Sequence, residues 1–470
     1  MGQSITIFSS PIAQRLIYAF GCSIFICLSF IFLDDIAQEI HLLTFYLIPS
    51  FIFIFIICKK LCSDERRRID YFNPFSLFSA LVAISILWPV VFRYTLNIDI
   101  YRYFASYHIT DEFVFNTIII LHIILIFSSL FIFCLLGANR SKDAFFCKTG
   151  KLERHFDFRI WSVVAIIILP ILIIFNISDA GPSLFLSQIE SKVGKIEAIL
   201  LSILIFSYLL KTDDRLKCLI IIFTVGAFLV FYNVLIHQSR GIIFIFISMC
   251  AFAEYYKWRG TMLSNNFYSL GILFIPVIMH GVTFIEILVL ENLVTSNFLR
   301  KIGTGIETRI LENAATVLYW TEQEGFEFRN GRSYFDAVWG LIPSQFVEKN
   351  PTLSEWFAMT AHPDAWRSGA GFAFSAVAEG LVNFGQYGVV LQGFVVGFML
   401  RLLDWMRTCA YPVLIISSAT AYPLIYKLSR EEIHGFVHRL PWSVALVLGL
   451  FALYRIIWLV VNSGGNSRAV

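Results

Sequence analysis

Long apolar runs, separated by short clusters of charge, constrain this chain more than any other feature of its sequence. Only 15% of its residues are charged, 58% are hydrophobic, and its mean hydropathy is +0.74. A soluble domain carries roughly 25% charged residues, so a chain with this composition could not cover its own apolar surface in water. Apolar runs of about 18 residues or more suit a bilayer, where backbone polar groups must be bonded within helices or closed barrels. The sequence therefore predicts an all-α integral membrane protein.

The apolar runs predict about 12 transmembrane helices. They cover residues 16–33, 41–58, 74–92, 113–136, 160–177, 196–210, 218–236, 242–256, 268–290, 386–403, 409–426 and 442–461. Because no A-x-A-like cleavage site follows the first run, we expect that run to be a span and not a signal peptide.

The runs divide the chain into three predicted regions. Residues 1–290 form a first membrane bundle of about nine helices, and residues 291–371 form one large hydrophilic loop. Residues 372–470 contribute a short re-entrant or interfacial helix and the last three transmembrane helices. Inside the loop, residues 307–319 are predicted to be helical, and Asn330-Gly331 marks a turn.

Lysine and arginine placement predicts the orientation of the chain. With the N-terminus inside, most of these residues fall on the cytoplasmic side, as the positive-inside preference requires. Cysteine, which an oxidising outer compartment would disfavour, is confined to the spans and the predicted inner side. The nine cysteines are Cys22, Cys27, Cys58, Cys62, Cys134, Cys147, Cys218, Cys250 and Cys409. We therefore expect both termini in the cytoplasm and the large loop outside.

Composition also excludes two classes of partner. A net charge of +3 is too small to indicate nucleic-acid binding. The sequence has no CxxC pair and no His/Cys cluster with metal-ligand spacing, so we expect no structural zinc and no metal site.

The first candidate site is a short outer turn that contains His237 and Arg240 between two predicted spans. An arginine guanidinium can bind phosphate through two parallel hydrogen bonds, and this interaction is stronger at the edge of a low-dielectric bundle. The alternative is that Arg240 is an interface anchor that reaches the lipid headgroups.

The second candidate is a dense ion cluster in the predicted outer loop before the last span. It contains Arg430, Glu431, Glu432, His434 and Arg439. Because the cluster departs from the positive-inside preference, an anionic ligand at the outer surface would explain it. Simple Arg–Glu pairing explains it equally well.

The third candidate is the Gly-rich stretch from Gly369 to Gly388, which contains Glu379 and Asn383. A desolvated Glu379 could accept a proton from a sugar hydroxyl. Alternatively, Glu379 caps a helix or pairs with an arginine.

The large loop adds arginines beside aromatic side chains, an arrangement that suits sugar rings and is also common at membrane interfaces. The candidate substrate-binding residues in the loop are Arg300, Arg329, Arg332, Tyr334 and Arg367.

Several short motifs resemble the Wzy family, the O-antigen or oligosaccharide repeat-unit polymerases of bacterial inner membranes. They are Asn73-Pro74-Phe75-Ser76-Leu77, Ser239-Arg240-Gly241, Gly331-Arg332-Ser333-Tyr334, Leu341-Ile342-Pro343-Ser344, the stretch from Gly371 through Ser375 and Glu379-Gly380 to Gly388, and the segment from Arg430-Glu431 to Arg439.

The resemblance implies a GT-C-like polymerase bundle with a periplasmic loop, and a metal-independent glycosyltransferase without a cofactor. Its substrates would be undecaprenyl-pyrophosphate-linked oligosaccharides, as both donor and acceptor, in contact with membrane lipid, and a chain-length regulator is a further candidate partner. Arg240 and Arg430 match arginines expected to bind pyrophosphate, and Glu379 matches the carboxylate of the Ser-to-Glu-Gly stretch. We predict these three residues to be catalytic.

Two other functions share parts of this pattern. A lipid-linked glycan flippase or transporter should show internal repeats and charges at mid-span, whereas here Arg455 is the only clear mid-span charge. An O-antigen ligase usually carries a histidine followed by a polar residue in its large loop. The single histidine of this loop, His362, is followed by Pro363, which argues against a ligase.

Overall fold

The computed structural model describes nine stretches of the chain and a few isolated positions between residues 214 and 252. The stretches are residues 11–61, 73–94, 112–137, 157–177, 196–212, 309–342, 346–367, 374–409 and 411–463. Every regular element in these residues is a helix.

Fifteen helices lie within the described residues. They are α1 Pro11–Ile31, α2 Leu33–Gln38, α3 Ile40–Leu61, α4 Pro74–Tyr94, α5 Glu112–Leu135, α6 Phe158–Ile177, α7 Ile196–Lys211, α8 Arg309–Thr321, α9 Arg332–Trp339, α10 Leu353–Ala361, α11 Pro363–Arg367, α12 Ala376–Thr408, α13 Pro412–Ala421, α14 Pro423–Arg430 and α15 His434–Ser463.

Within the described residues, four helices are long and apolar enough to cross a membrane. They are α1, α5, α12 and α15, and shorter apolar stretches occur in α3, α4, α6, α7 and α13. The all-helical class and the membrane character predicted from the sequence are therefore confirmed. The predicted spans over residues 218–236, 242–256 and 268–290 lie almost wholly outside the described residues, so the predicted number of spans stays a prediction.

Two predicted boundaries near the C-terminus were wrong. The run over residues 409–426 is two helices, α13 and α14, which meet at Tyr422 and Pro423. Proline has no backbone N–H and clashes with the preceding turn, so it readily begins a new helix. The last helix begins at His434 and not near residue 442, because it continues through Pro441. His434 and Arg439 therefore lie on a helix and not in a loop.

Contacts between Cα atoms divide the chain into two compact units. The first comprises the described residues of Met1–Asn139, Asn266–Leu402 and Ile425–Phe436, and the second those of Arg140–Asn265, Leu403–Leu424 and Val437–Val470. The regions predicted from the sequence, with boundaries at residues 291 and 372, stay a prediction.

Helix α5 is the centre of the first unit. Its side chains are mostly apolar on every face and most of them are buried, and α1, α2, α3, α4 and α8 pack around it. A helix that is hydrophobic on every side is expected to be enclosed by other helices. Helix α12 approaches α5 most closely at Gly393 and Gly397, where an added Cβ would overlap atoms of Ser128 and Ser129. Small residues four apart allow this close packing of membrane helices.

Helix α12 consists of two helical segments joined by a sharp break. Phe384 and Gly385 have non-helical backbone angles, and Gly385 has a φ of 67°, which favours glycine. The segment 376–383 is thus the short helix predicted before the span. Ser375 begins it by accepting hydrogen bonds from the amides of Val377 (3.0 Å) and Ala378 (3.4 Å).

The second unit contains aromatic packing between helices and a buried ion pair within one helix. The indole of Trp161 on α6 stacks on Tyr454 of α15, with ring centroids 5.1 Å apart. Asp404 and Arg407, both buried, form an ion pair of 2.7 Å near the end of α12. Neither feature contains a residue that the sequence predicted to be part of a site.

Candidate functional site

A turn in the large loop lies against the end of the short helical segment 376–383. Asn330 and Gly331 have positive φ angles of 48° and 81°, which confirms the predicted turn. The amide of Asn330 donates to the carbonyl of Asn383 at 3.1 Å, and the amide of Gly331 donates to the Asn383 side-chain oxygen at 3.1 Å. An added Cβ on Gly331 would lie 3.1 Å from the ring of Phe384. The turn therefore fixes the start of α9 beside the break in α12.

The carboxylate of Glu379 is the centre of the polar cluster beneath this turn. It is 1% exposed and accepts three hydrogen bonds. The donors are the Ser333 hydroxyl (2.8 Å), the Gln392 amide group (2.8 Å) and the backbone N–H of Ile433 (2.9 Å). A carboxylate can be buried at acceptable cost when donors surround it in this way. Glu379 thereby joins α9, the second segment of α12 and the link between α14 and α15.

The partners of Glu379 are themselves hydrogen-bonded. The Asn383 amide donates to Ser333 Oγ at 2.8 Å and to the carbonyl of Glu379 at 2.9 Å. The Tyr334 hydroxyl donates to Gln392 Oε1 at 2.8 Å. Burial, and then the negative charge of Glu379, raise the pKa of Tyr334, so its hydroxyl remains protonated and a donor. Networks whose members are all satisfied rigidify a site.

A second carboxylate, that of Glu432, is also buried in this cluster. Its Oε2 accepts the N–H of Leu353 at 2.6 Å, and it also accepts hydrogen bonds from the Ser354 amide and the Thr352 hydroxyl. These groups form the N-terminus of α10, where negative charge is favourable. Burial raises the pKa of Glu432 to about 8, and the nearby charge of Glu379 acts in the same direction.

Two arginines flank the cluster. The guanidinium of Arg329 lies 4.9 Å from the ring centroid of Trp356, and its charge interacts with Asp336 and Glu432. Burial lowers the pKa of Arg329. The guanidinium of Arg430 lies 4.9 Å from the ring centroid of Tyr426 and donates a hydrogen bond to the Tyr426 hydroxyl. Such stacking holds a planar cation in a fixed orientation.

The structure thus brings several of the predicted site residues into one place. Arg329, Tyr334, Glu379 and Asn383 belong to one hydrogen-bonded region, and the segment that follows Arg430 is bound to it through Ile433.

Other predicted site residues lie at the periphery or outside the described part of the chain. Arg332 is exposed and 4.0 Å from Asp336, Arg367 is exposed and 3.2 Å from Asp364, and Glu431 pairs with Lys427 at 2.7 Å. His434 and Arg439 lie on α15, and Arg439 is five residues along that helix from His434. His237, Arg240 and Arg300 lie outside the described residues.

The sequence did not identify Ser333, Gln392 or Glu432 as site residues, although Glu432 lies in the predicted ion cluster. Gln392 is a polar residue in an apolar run, and such residues usually face a bundle interior, so it could have been found. Ser333 belongs to a quoted motif but carries no charge. Glu432 cannot be separated from Glu431 in the sequence, although one side chain is buried and the other is partly exposed.

Comparison with known families places this cluster in a recognised region. The family model described as O-antigen polysaccharide polymerase Wzy matches residues 294–460. The resemblance stated from the motifs is confirmed over this range, which includes Glu379 and Arg430 but not Arg240. At the family level, the match supports an O-antigen polymerase.

No curated protein matches the chain. No solved structure matches it.

Proposed function

We propose that this protein is a membrane glycosyltransferase that polymerises undecaprenyl-pyrophosphate-linked oligosaccharide repeat units into O-antigen or a related surface polysaccharide. The reaction takes place at the periplasmic face of the bacterial inner membrane, with both termini in the cytoplasm. The growing glycan is the donor, and a new lipid-linked repeat unit is the acceptor. A chain-length regulator is a further proposed partner.

The reaction forms one bond and breaks one bond. A sugar hydroxyl of the acceptor attacks the anomeric carbon of the donor glycan, and the bond from that carbon to the pyrophosphate oxygen breaks. Undecaprenyl pyrophosphate leaves as an anion, so catalysis requires positive charge directed at the departing oxygen. Arg430 and Arg240 are the proposed cations, and arginines with fixed positions make a metal ion unnecessary in this proposal.

Glu379 is the proposed acceptor of the hydroxyl proton. The Ser333 hydroxyl now occupies Oε1 of that carboxylate at 2.8 Å, and a sugar hydroxyl that takes its place would present its proton to the same oxygen. Tyr334 and Asn383 are the proposed contacts for the acceptor sugar, and Arg329 is a further contact for phosphate.

One observation carries this proposal. The backbone N–H of Ile433 donates to Glu379 Oε2 at 2.9 Å, and Ile433 lies three residues after Arg430. The proposed base and the segment that bears the proposed phosphate-binding arginine are therefore connected by a direct hydrogen bond inside the region that matches the Wzy family.

The proposal is tested by complementing a strain that lacks the gene and running its lipopolysaccharide on a gel. Glu379→Gln should abolish long chains and leave single-repeat products, because glutamine cannot accept the proton. The substitution should preserve the fold, since a glutamine oxygen can accept from Gln392 and Ile433 while its amide donates to Ser333. Arg430→Lys should also abolish long chains, because lysine lacks the planar fork.

Two matched substitutions serve as controls. Glu324→Gln alters an exposed carboxylate of the same loop, and Arg159→Lys alters an exposed arginine elsewhere, and both should give normal ladders. Normal ladders from Glu379→Gln and Arg430→Lys would contradict the proposed roles of these two residues. Complete loss of surface glycan in the deletion strain, in place of core plus one repeat unit, would indicate a flippase.

A further inference from the structure

The exposed face of helix α9 is mostly apolar, whereas its buried face carries small side chains. Phe335, Val338 and Trp339 are 76%, 59% and 56% exposed. On the opposite side, Ser333 and Ala337 are buried, and Ser333 contacts Glu379. This arrangement is the reverse of the pattern expected for a helix in water, where the polar face is exposed. The exposed face must therefore meet something other than bulk water.

The segment 346–350, which follows α9, carries a further exposed apolar side chain. Lys349 donates to the carbonyl of Gly340 at 2.9 Å, and Asn350 donates to Asp336 at 3.0 Å, so the end of this segment is held against the helix. Phe346 in that segment is 76% exposed. Contiguous exposed apolar patches usually mark a binding site or a membrane contact.

The position of α9 along the bundle identifies the contact. Its N-terminal turn is bonded to residues 382 and 383, immediately before the break from which the second segment of α12 continues as an apolar span. Tyr387, in the first turn after that break, is 74% exposed, and its ring centroid lies 5.1 Å from that of Phe30 at the end of α1. The N-terminal turn of α9 therefore lies near the ends of two candidate spans.

The exposed surface of α1 has the pattern of a helix that faces lipid. Most of its exposed side chains are large and apolar, and from Ile17 onward these recur every three or four residues, as expected for a stripe that faces hydrocarbon. They are Leu16, Ile17, Phe20, Ile24, Leu28 and Ile31. The N-terminal turn of α9 is thus connected, through the break in α12, to the end of a surface that already suits lipid.

We propose that Phe335, Val338, Trp339 and Phe346 lie in the headgroup–acyl boundary of the bilayer and anchor α9 to the membrane surface. Aromatic side chains suit this boundary, and the exposed Arg332 at the edge of the face is placed to meet lipid phosphates. Because Ser333 on the other face binds Glu379, this anchor fixes the height of the candidate site relative to the membrane. The proposal concerns lipid contact and does not depend on the polymerase activity.

The test uses an environment-sensitive probe in the full chain. Phe335→Cys is labelled with nitrobenzoxadiazole and reconstituted into vesicles of phosphatidylethanolamine and phosphatidylglycerol. Emission should shift to the blue, most of it should be lost when a fraction of the lipid carries a doxyl quencher near the headgroup, and aqueous iodide should have little effect. The parent chain, labelled in the same way, gives the contribution of the native cysteines.

The matched control is Gln323→Cys, an exposed position in the same loop after α8. It should be quenched by iodide and not by doxyl lipid. Quenching of the Phe335→Cys probe by iodide alone would overturn the proposal by placing this face in water. Protection of that probe from both quenchers would also overturn it, because a second copy or another protein would then cover the face. Thermal unfolding that matches the parent confirms that the labelled variant is folded.

Discussion

The two buried carboxylates of the site, Glu379 and Glu432, differ in what surrounds them. Glu379 accepts from a hydroxyl, an amide side chain and a backbone N–H, whereas Glu432 accepts from the first groups of α10. The first arrangement includes a hydroxyl that a substrate hydroxyl could replace. The second is a helix cap supplied from a distant part of the sequence. This difference supports the proposal that Glu379 accepts the proton, and we propose a positioning role for Glu432.

The raised pKa of Glu432 predicts a pH dependence of stability. Its pKa is raised from 4.5 to about 8, so between these values the folded chain holds a proton that the unfolded chain has released. The free energy of unfolding should fall as the pH rises through this window. In Glu432→Gln, the free energy of unfolding should depend less on pH. At the alkaline end of the window, this variant should unfold at a higher temperature than the parent. The difference is on the order of a few kcal/mol, since one pKa unit corresponds to about 1.4 kcal/mol.

Thermal unfolding of the purified protein in detergent, measured at several pH values, tests this prediction. Glu324→Gln, at an exposed carboxylate, should keep the pH profile of the parent. A Glu432→Gln profile that is parallel to the parent profile would contradict the prediction.

At the scale of the helix, the sequence predicted the positions of helices, which depend on the local apolar pattern. It missed contacts between residues that are far apart in the sequence. The apolar runs located α1, α3, α4, α5, α6 and α7 to within a few residues, and Gly385 and Gly388 marked the break in α12. The continuation of α15 through Pro441 was missed, because packing can compensate for the hydrogen bond that proline removes. The contact of Ile433 with Glu379 was missed because a backbone N–H leaves no trace in residue identity.

The close packing of α12 on α5 predicts that Gly397 is intolerant of even one methyl group. In Gly397→Ala, the new Cβ would overlap the carbonyl oxygen of Ser129, which is backbone and cannot rotate away. We expect a loss of about 1–3 kcal/mol, the usual cost of overpacking, seen as a lower unfolding temperature in detergent. Gly449→Ala is the matched control, since nothing lies within 4 Å of its added Cβ. Alanine there should be neutral or slightly stabilising, because it favours a helix. Equal unfolding temperatures for the two variants would contradict the tight contact.

For the molecule as a whole, the proposed function requires one orientation of the chain in the membrane. Lipid-linked glycans are joined on the outer side in the proposed function, so the loop that carries α8, α9 and α10 must lie there. The charge distribution predicts this orientation, and the cysteine distribution predicts it independently. The charge rule and the cysteine rule both use the same sequence, so a labelling experiment in cells tests the orientation directly.

The orientation predicts which cysteines a membrane-impermeant maleimide can reach in intact spheroplasts. The parent chain should remain unlabelled, because all nine native cysteines fall in the predicted spans or on the predicted inner side. Glu324→Cys, in the exposed turn after α8, should become labelled at once, whereas Ser141→Cys, in a predicted inner segment, should be labelled only after permeabilisation. The reverse result would place the Glu379 cluster on the cytoplasmic side. On that side the proposed lipid-linked substrates would not reach the cluster, and the polymerase proposal would fail together with the topology.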